Sequence, residues 1–311
     1  MSLTLVEAAK LSATNGEFKR AAVISMFAKA SQWLAALPFA DISGNAYAYN
    51  REGTLPGVAF RGINESYSES TGIINPLVEA LRIGGGDLDV DTAILKTQGD
   101  GVRAVHEQMK VKALAAEVTR VLIKGDSTSN PREFDGLQNR ITGAQLIEAG
   151  ATNGGDALSL QVLDQAIDQC VNPTHIWMSK AMRRKLTTAQ RTTTLGGFIE
   201  FTKDEFGQQT VVYNGIPILV PYPDNGGTDP LGFNETNAAG ANATGTSIYV
   251  VGLGDGFVTG LQNGVMDVRD LGEVQTQPVK RTRVEWLMGM VVEHGRAAVR
   301  LRGIANLPIV A

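Results

Sequence analysis

The sequence predicts an α+β fold, with helices and strands segregated along the chain rather than alternating. Three observations predict it. One helical pattern runs unbroken from Val102 to Lys124, strand-like runs crowd the stretch from Ser247 to Val310, and Gly accounts for 35 of 311 residues. Strands that follow one another between Gly-rich turns build sheets of their own instead of strand–helix–strand units. With 43 % hydrophobic and 19 % charged residues the chain is globular in composition, and its length allows one large or two modest domains.

Residues 1–38 read as one or two short amphipathic helices, with Phe18, Ala22, Met26 and Trp33 near helical spacing and Pro38 as the stop. No window here holds enough apolar residues for a core, so an arm packed on something else is expected. From 45 to 70 two β-prone runs, Ala46-Tyr47-Ala48-Tyr49 and Val58-Ala59-Phe60-Arg61-Gly62-Ile63, flank the Gly/Pro-rich tip Arg51 to Gly57 and predict a hairpin. A lone hairpin is marginal in water, so it must lean on a neighbour or form an edge of the protein's own sheet.

Residues 73–98 are strand-rich, with Asp87, Asp89 and Asp91 on the wet face and Leu88 and Val90 inward. The helix 102–124 repeats Val111, Leu114, Val118 and Val121, with Asp100 as its N-cap and Gly125 as its stop. At 1.5 Å per residue it is a rod of roughly 35 Å. Helices over 158–171 and 179–191 flank a short strand, His175 to Met178. Val211 to Tyr213 and Ile216 to Val220 form strands about an Asn214-Gly215 turn. Residues 223–246 form a Gly/Asn/Thr-rich loop with no Lys or Arg. Strands follow at 248–251, 257–261 and 265–268, then a long pair, 282–292 and 297–304, whose broken alternation fits cover on both faces.

The chemistry of most function classes is missing. A net charge of −4 without a basic tail disfavours a high-affinity nucleic-acid reader. One cysteine, Cys170, excludes an intrachain disulfide or a Cys-rich zinc site and suits a small core residue. The longest strongly apolar run, Trp286 to Val292, is seven residues against the ~20 of a membrane span, and no signal peptide is expected. Gly252-Leu253-Gly254-Asp255-Gly256 departs from the dinucleotide fingerprint and leads into a strand. Asp87, Asp89 and Asp91 lack the Gly and Glu of a calcium loop. His106, His175 and His294 have no ligand-like spacing and no nucleophile motif beside them. No cofactor and no enzymatic activity are expected. Lys180, Arg183, Arg184, Lys185 and Arg191 make the best basic patch, either a solvated helix face or a DNA-facing surface.

Three late stretches carry a family resemblance: Val212-Tyr213-Asn214-Gly215-Ile216-Pro217-Ile218-Leu219-Val220 with its following loop, Ile248-Tyr249-Val250-Val251-Gly252-Leu253-Gly254-Asp255-Gly256, and Gly264-Val265-Met266-Asp267-Val268-Arg269. With the order arm, hairpin, long helix, mixed insertion and return strands, the chain resembles the major capsid proteins of tailed bacteriophages, the Hong Kong 97-like fold. Glu285-Trp286-Leu287-Met288 to Arg302 is similar to that family's closing hairpin. The resemblance implies an N-terminal arm at 1–40, an extended loop at 41–72 and a peripheral domain with a spine helix at 73–136. It further implies an axial domain at 137–265 and return strands at 266–311. Tyr47, Tyr49, Arg51, Glu52, Phe60 and Arg61 would then meet a neighbouring subunit, and Lys180, Arg183, Arg184 and Lys185 would face packaged DNA weakly and without specificity.

The implied partners are further copies in pentamers and hexamers, a separate scaffolding protein, a portal and a decoration protein, but no membrane. The implied location is the virion, assembled in the host bacterial cytoplasm. Some relatives crosslink through a lysine in the extended loop; here none lies between Lys29 and Lys96, which implies a shell without crosslinks. Two other readings stay open: an encapsulin, a cellular compartment of the same fold, and an α+β enzyme with an unrecognised site.

Overall fold

The computed structural model describes residues 2–15, 18–99, 101–191, 199–203, 209–221 and 229–310. The first half runs β1 (Leu3–Thr4), α1 (Leu5–Thr14), α2 (Phe18–Ala30), α3 (Gln32–Ala36), β2 (Pro38–Asp41), β3 (Ala46–Thr54), β4 (Ile73–Ala80), β5 (Arg82–Asp91), α4 (Thr92–Gln98) and α5 (Gly101–Lys124). The second half adds α6 (Leu137–Arg140), β6 (Leu146–Glu148), α7 (Leu160–Gln169), β7 (His175–Trp177), α8 (Lys180–Gln190), β8 (Ile199–Lys203), β9 (Gln209–Tyr213) and β10 (Ile216–Leu219). It closes with β11 (Glu235–Asn237), β12 (Gly240–Val251), β13 (Val258–Gln262), β14 (Asp267–Glu273), β15 (Val279–Val292) and β16 (Ala298–Ile304).

Among the described residues these strands make two sheets and a ribbon. The first sheet has the order β1-β2-β13-β15-β14, and its backbone is β15. Residues 280–285 of β15 pair with β14 and 288–292 with β13, one after the other along one edge, while β5 covers the other edge over 279–288. The second sheet is β6-β16-β12-β7-β10-β9-β8, with β11 on β12. Its central strands are buried on both faces. Ile176, Ile218, Ile248 and Val250 turn toward α7 and α8, whereas Trp177, Leu219, Tyr249 and Val251 turn into the core of the first sheet. Period-two alternation with apolar residues on both faces accounts for the continuous apolar runs in the sequence.

Helix α5 lies on the first core through Val111, Ala115, Val118 and Leu122, spaced for one helical face. It ends where the sequence says. A Cβ on Gly125 would sit 2.2 Å from the Phe134 carbonyl oxygen, so the returning chain can pass only over a glycine. The expected N-cap, Asp100, lies outside the described residues.

The N-terminal helices are not an arm without a core. Ile24, Phe27, Trp33, Leu34 and Leu37 are fully buried in the cluster that holds Val118, Leu122 and Trp286. Phe27 meets Trp286 edge-on at 5.4 Å, and Trp33 stacks on Trp177 at 5.1 Å. The segment lacks a core only when read alone, because its partners stand more than eighty residues away.

Pairing partners differ from the expectations in four further places. The ribbon is β3 with β4, in register from Ala46↔Ala80 to Thr54↔Ile73, so Val58 to Ile63 belongs to the loop between the strands and not to a return strand. Its register is set at the base, where Leu81 and Tyr49 share a small core with Leu261 and Val291. The expected loop 223–246 holds β11 and the start of β12, which pair from Glu235↔Gly245 to Asn237↔Gly240; its residues 223–228 lie outside the described ones. The strands β15 and β16 do not form a closing hairpin: each pairs within a different sheet. Consequently the expected boundary at 265/266 does not follow the sheets, for β13 already belongs to the first and β16 returns to the second. Strand propensity marks these segments but carries no information about which edge they meet.

Candidate functional site

Two surfaces carry the side chains that the sequence singles out. The first is the ribbon. Cross-strand pairing holds β3 and β4, and side chains fix the base to the rest of the chain. Tyr47 Oη donates to Glu293 Oε1 at 2.7 Å, and this bond, with burial, pushes the phenol up to about 12. Tyr47 and Tyr49 stack at 6.1 Å, and the Arg51 guanidinium lies 5.9 Å from the Tyr49 ring. Arg51 donates to the carbonyls of Val292 and Glu293. On β4, Glu79 takes a two-pronged contact from Arg140, with Nη2 to Oε2 at 2.8 Å, and accepts from Tyr49 Oη at 3.5 Å. Tyr47, Tyr49 and Arg51 therefore spend their polar atoms inside the chain.

Beyond the anchor the ribbon is bare. Glu52 is exposed, and in the 55–72 loop Val58, Phe60 and Ile63 are 92 %, 106 % and 94 % exposed. The loop is nonetheless tied to itself. Arg61 donates to the Glu65 carbonyl at 3.1 Å and sits 5.4 Å from the Tyr67 ring. Gly62 N donates to Glu65 Oε2 at 2.8 Å, and Gly57 N to Ser70 Oγ at 2.8 Å. Of the six residues expected at a subunit contact, Glu52, Phe60 and Arg61 face outward and the other three hold the base.

The second surface is α8. Ser179 caps it by accepting from Met182 N at 3.2 Å, and Met182, Leu186 and Ala189 bury one face. The basic residues do not act as one patch. Arg183 and Arg184 line an open cleft of about 430 Å³ with Arg191 and Phe201. Lys185 leans the other way, donating to the Leu307 carbonyl at 2.8 Å and lying 5.4 Å from the Phe233 ring, where burial lowers its ammonium below the usual range. Lys180, at the helix start, lies near Asp229, whose carboxyl burial raises while the Lys180 amide and charge oppose the rise. Sequence reasoning missed Phe201, because a lone Phe carries no signal until the β8–β9 pairing places it.

The remaining reactive groups stand apart. Burial holds His175 down to about 4 and pushes the Cys170 thiol up to about 12. Among the described residues no three His, Cys, Asp or Glu side chains converge as a metal site. Asp87 and Asp89 accept two-pronged bonds from Arg283 and Arg281 across β5 and β15, and those bonds lower both carboxyls. The glycines of 252–256 form a turn, with Gly254 and Gly256 at positive φ, that leads into β13 rather than a helix. No described helix is long and apolar enough to cross a membrane.

No protein-family model and no curated protein matches the sequence. Solved structures do match in shape. One is the holo-SrpI encapsulin complex from Synechococcus elongatus, at 16 % identity over 90 % of this chain and 89 % of that one, with a TM-score of 0.64. A second is the capsid of an empty GTA particle, at 14 % identity, 89 % and 90 % coverage and a TM-score of 0.59. A third is a structure of Microbacterium phage Oxtober96, at 10 % identity, 89 % and 91 % coverage and a TM-score of 0.60. At these identities the likeness establishes a shared fold over nearly the whole chain.

Proposed function

We propose that this chain, which has the Hong Kong 97-like fold, is the major capsid protein of a tailed bacteriophage. It is the structural, non-enzymatic subunit of an icosahedral shell around a double-stranded DNA genome. The observation that carries this reading is the ribbon: fixed at its base by Tyr47, Arg51 and Arg140, it holds the apolar side chains of Val58, Phe60 and Ile63 away from the chain's own core. Covering three such side chains is worth on the order of 5 kcal/mol before association costs. One contact of that size is modest, but a closed shell repeats it at every subunit.

We assign the first sheet with α5 to the peripheral unit, the second sheet with α7 and α8 to the axial unit around five- and six-fold positions, and 41–72 to the extended loop over a neighbour. Further partners under this reading are a scaffolding protein, a portal and a decoration protein, with weak contact to packaged DNA from α8. An encapsulin-type compartment is the second reading, favoured by the likeness to the Synechococcus elongatus encapsulin. The content of purified particles, DNA against protein cargo, separates the two.

The test replaces residues 55–72 by a short Gly/Ser linker, leaving β3, β4 and their anchors intact. The variant should melt cooperatively like the parent, yet negative-stain images should lack closed shells. Normal particles, or an unfolded chain, would each refute the role given to the loop.

A further inference from the structure

Helix α8 sorts its residues sharply. With Met182, Leu186 and Ala189 inward, a 100° step per residue puts Arg184 and the C-cap residue Arg191 on the opposite side and Arg183 on the flank between. They reach the cleft whose far wall is the β8–β9 pair. Phe201 and Val211, Cα partners in that pair, both line it, so strand alternation turns Glu200 and Thr202 to the other face. Phe201 is 48 % exposed.

Several arginines of this chain have carboxylate partners: Arg120 with Glu133, Arg281 with Asp89, Arg283 with Asp87 and Arg300 with Glu235. Arg183, Arg184 and Arg191 have no side-chain acceptor among the described residues. The two nearest hydroxyls, of Thr187 and Thr188, donate to the carbonyls of Arg183 and Arg184, one helical turn back. Three cationic residues thus line one cleft with a half-exposed aromatic ring and with no carboxylate partner among the described residues. Like charges on one helix face oppose folding, so the arrangement is best satisfied by an external anion.

Guanidinium forks match phosphate oxygens in plane and spacing, and an exposed phenyl face is what an unpaired base stacks on. The cleft volume of about 430 Å³ lies in the range of ligand sites, and its open form lets a strand pass through. We propose that the cleft between α8 and β8 binds single-stranded nucleic acid, with phosphates on Arg183, Arg184 and Arg191 and a base on Phe201. A duplex presents the same phosphates but keeps its bases stacked, so it engages the arginines alone. The site is a property of the subunit and goes beyond the shell reading.

Fluorescence anisotropy of the full chain with a labelled short oligothymidine, and with a duplex of equal length, tests it. Three phosphate contacts should give log K against log salt a slope near −2 for the single strand. Substituting all three arginines by Gln should abolish that slope and lower affinity at least ~10-fold. Phe201→Leu, which keeps Val211 covered, should weaken the single strand about 5- to 150-fold and leave the duplex unchanged. The proposal is overturned by absent oligothymidine binding at about 50 mM salt, by unaltered binding in the triple variant, or by a Phe201→Leu effect that is nil or equal for both probes. If the triple variant does not fold, Arg191→Gln alone should flatten the slope by about one third, and an unchanged slope would count against the site. None of these outcomes bears on whether the subunit closes shells, which imaging reads separately.

Discussion

Trp33→Ala tests whether the N-terminal helices are structural. Trp33 is completely buried, stacks within 9° of parallel on Trp177 of the second sheet, and donates Nε1–H to the Leu219 carbonyl at 3.1 Å. Beside it Gln32 Oε1 accepts from Val220 N at 3.0 Å, so two adjacent side chains of α3 grip β7 and the end of β10. Truncating a buried Trp costs about 3–5 kcal/mol, and the carbonyl left without its donor puts the value near the top of that range. Against a total stability of about 5–15 kcal/mol, a loss near 5 is severe. In a chain this long it should lower the melting temperature by roughly 10 °C. Trp33→Phe keeps a ring against Trp177 but loses the donor and part of the ring volume, so a smaller loss than for Trp33→Ala, about 2–3 kcal/mol and several degrees, is expected. Far-UV circular dichroism on the isolated chain reads both. A Trp33→Ala chain melting within about 2 °C of the parent would refute the reasoning, since the segment would then be the detachable arm that the sequence alone suggests.

Three further perturbations discriminate local from imposed structure. Gly85→Ala places a Cβ 2.2 Å from the Val284 carbonyl oxygen, whereas Gly84→Ala meets only the mobile end of Met288 at 2.5 Å, so the first should cost clearly more than the second, about 3 against less than 1.5 kcal/mol, in urea unfolding. His175, held by burial to about 4 against 6.5 when unfolded, binds its proton first in the unfolded chain. Stability should therefore fall by up to about 3 kcal/mol between pH 6.5 and 4, and His175→Gln should remove that part of the slope. Arg300→Met leaves Glu235 buried without its main partner and should cost about 3–5 kcal/mol, while adding Glu235→Leu should restore most of it; equal losses would show that Ser247 and Lys124 already satisfy the carboxylate.

What was legible in the sequence was whatever local rules decide. The Asn214-Gly215 turn is the clearest case, for both residues adopt positive φ, 48° and 78°, and close β9 onto β10 with Ile216 opposite Tyr213. The buried face of α5, with Val111, Val118 and Val121, follows from helical spacing in the same way. Partner choice was not legible. Strands β15 and β16 read as a pair because they are adjacent and equally β-prone, yet the turn between them changes sheets. The α8 arginines were visible as a charge cluster, but the aromatic wall that makes a cleft of them comes from a separate strand pair.

In the ribbon, local propensity and pairing part company. Val58 to Ile63 reads as a strand because apolar, β-prone residues are taken to belong to a core. In the folded chain these side chains reach solvent almost completely, while Pro76 and Asn75, poor strand formers, sit in the paired return strand opposite Asn50 and Arg51. Local propensity and the fold therefore disagree at this loop and agree at its anchored base. A single chain gains nothing from displaying Phe60 on a fixed ribbon; an apolar surface held out in this way acquires a favourable energy only when another molecule covers it. The disagreement thus lies where the sequence would answer to a partner instead of to its own core.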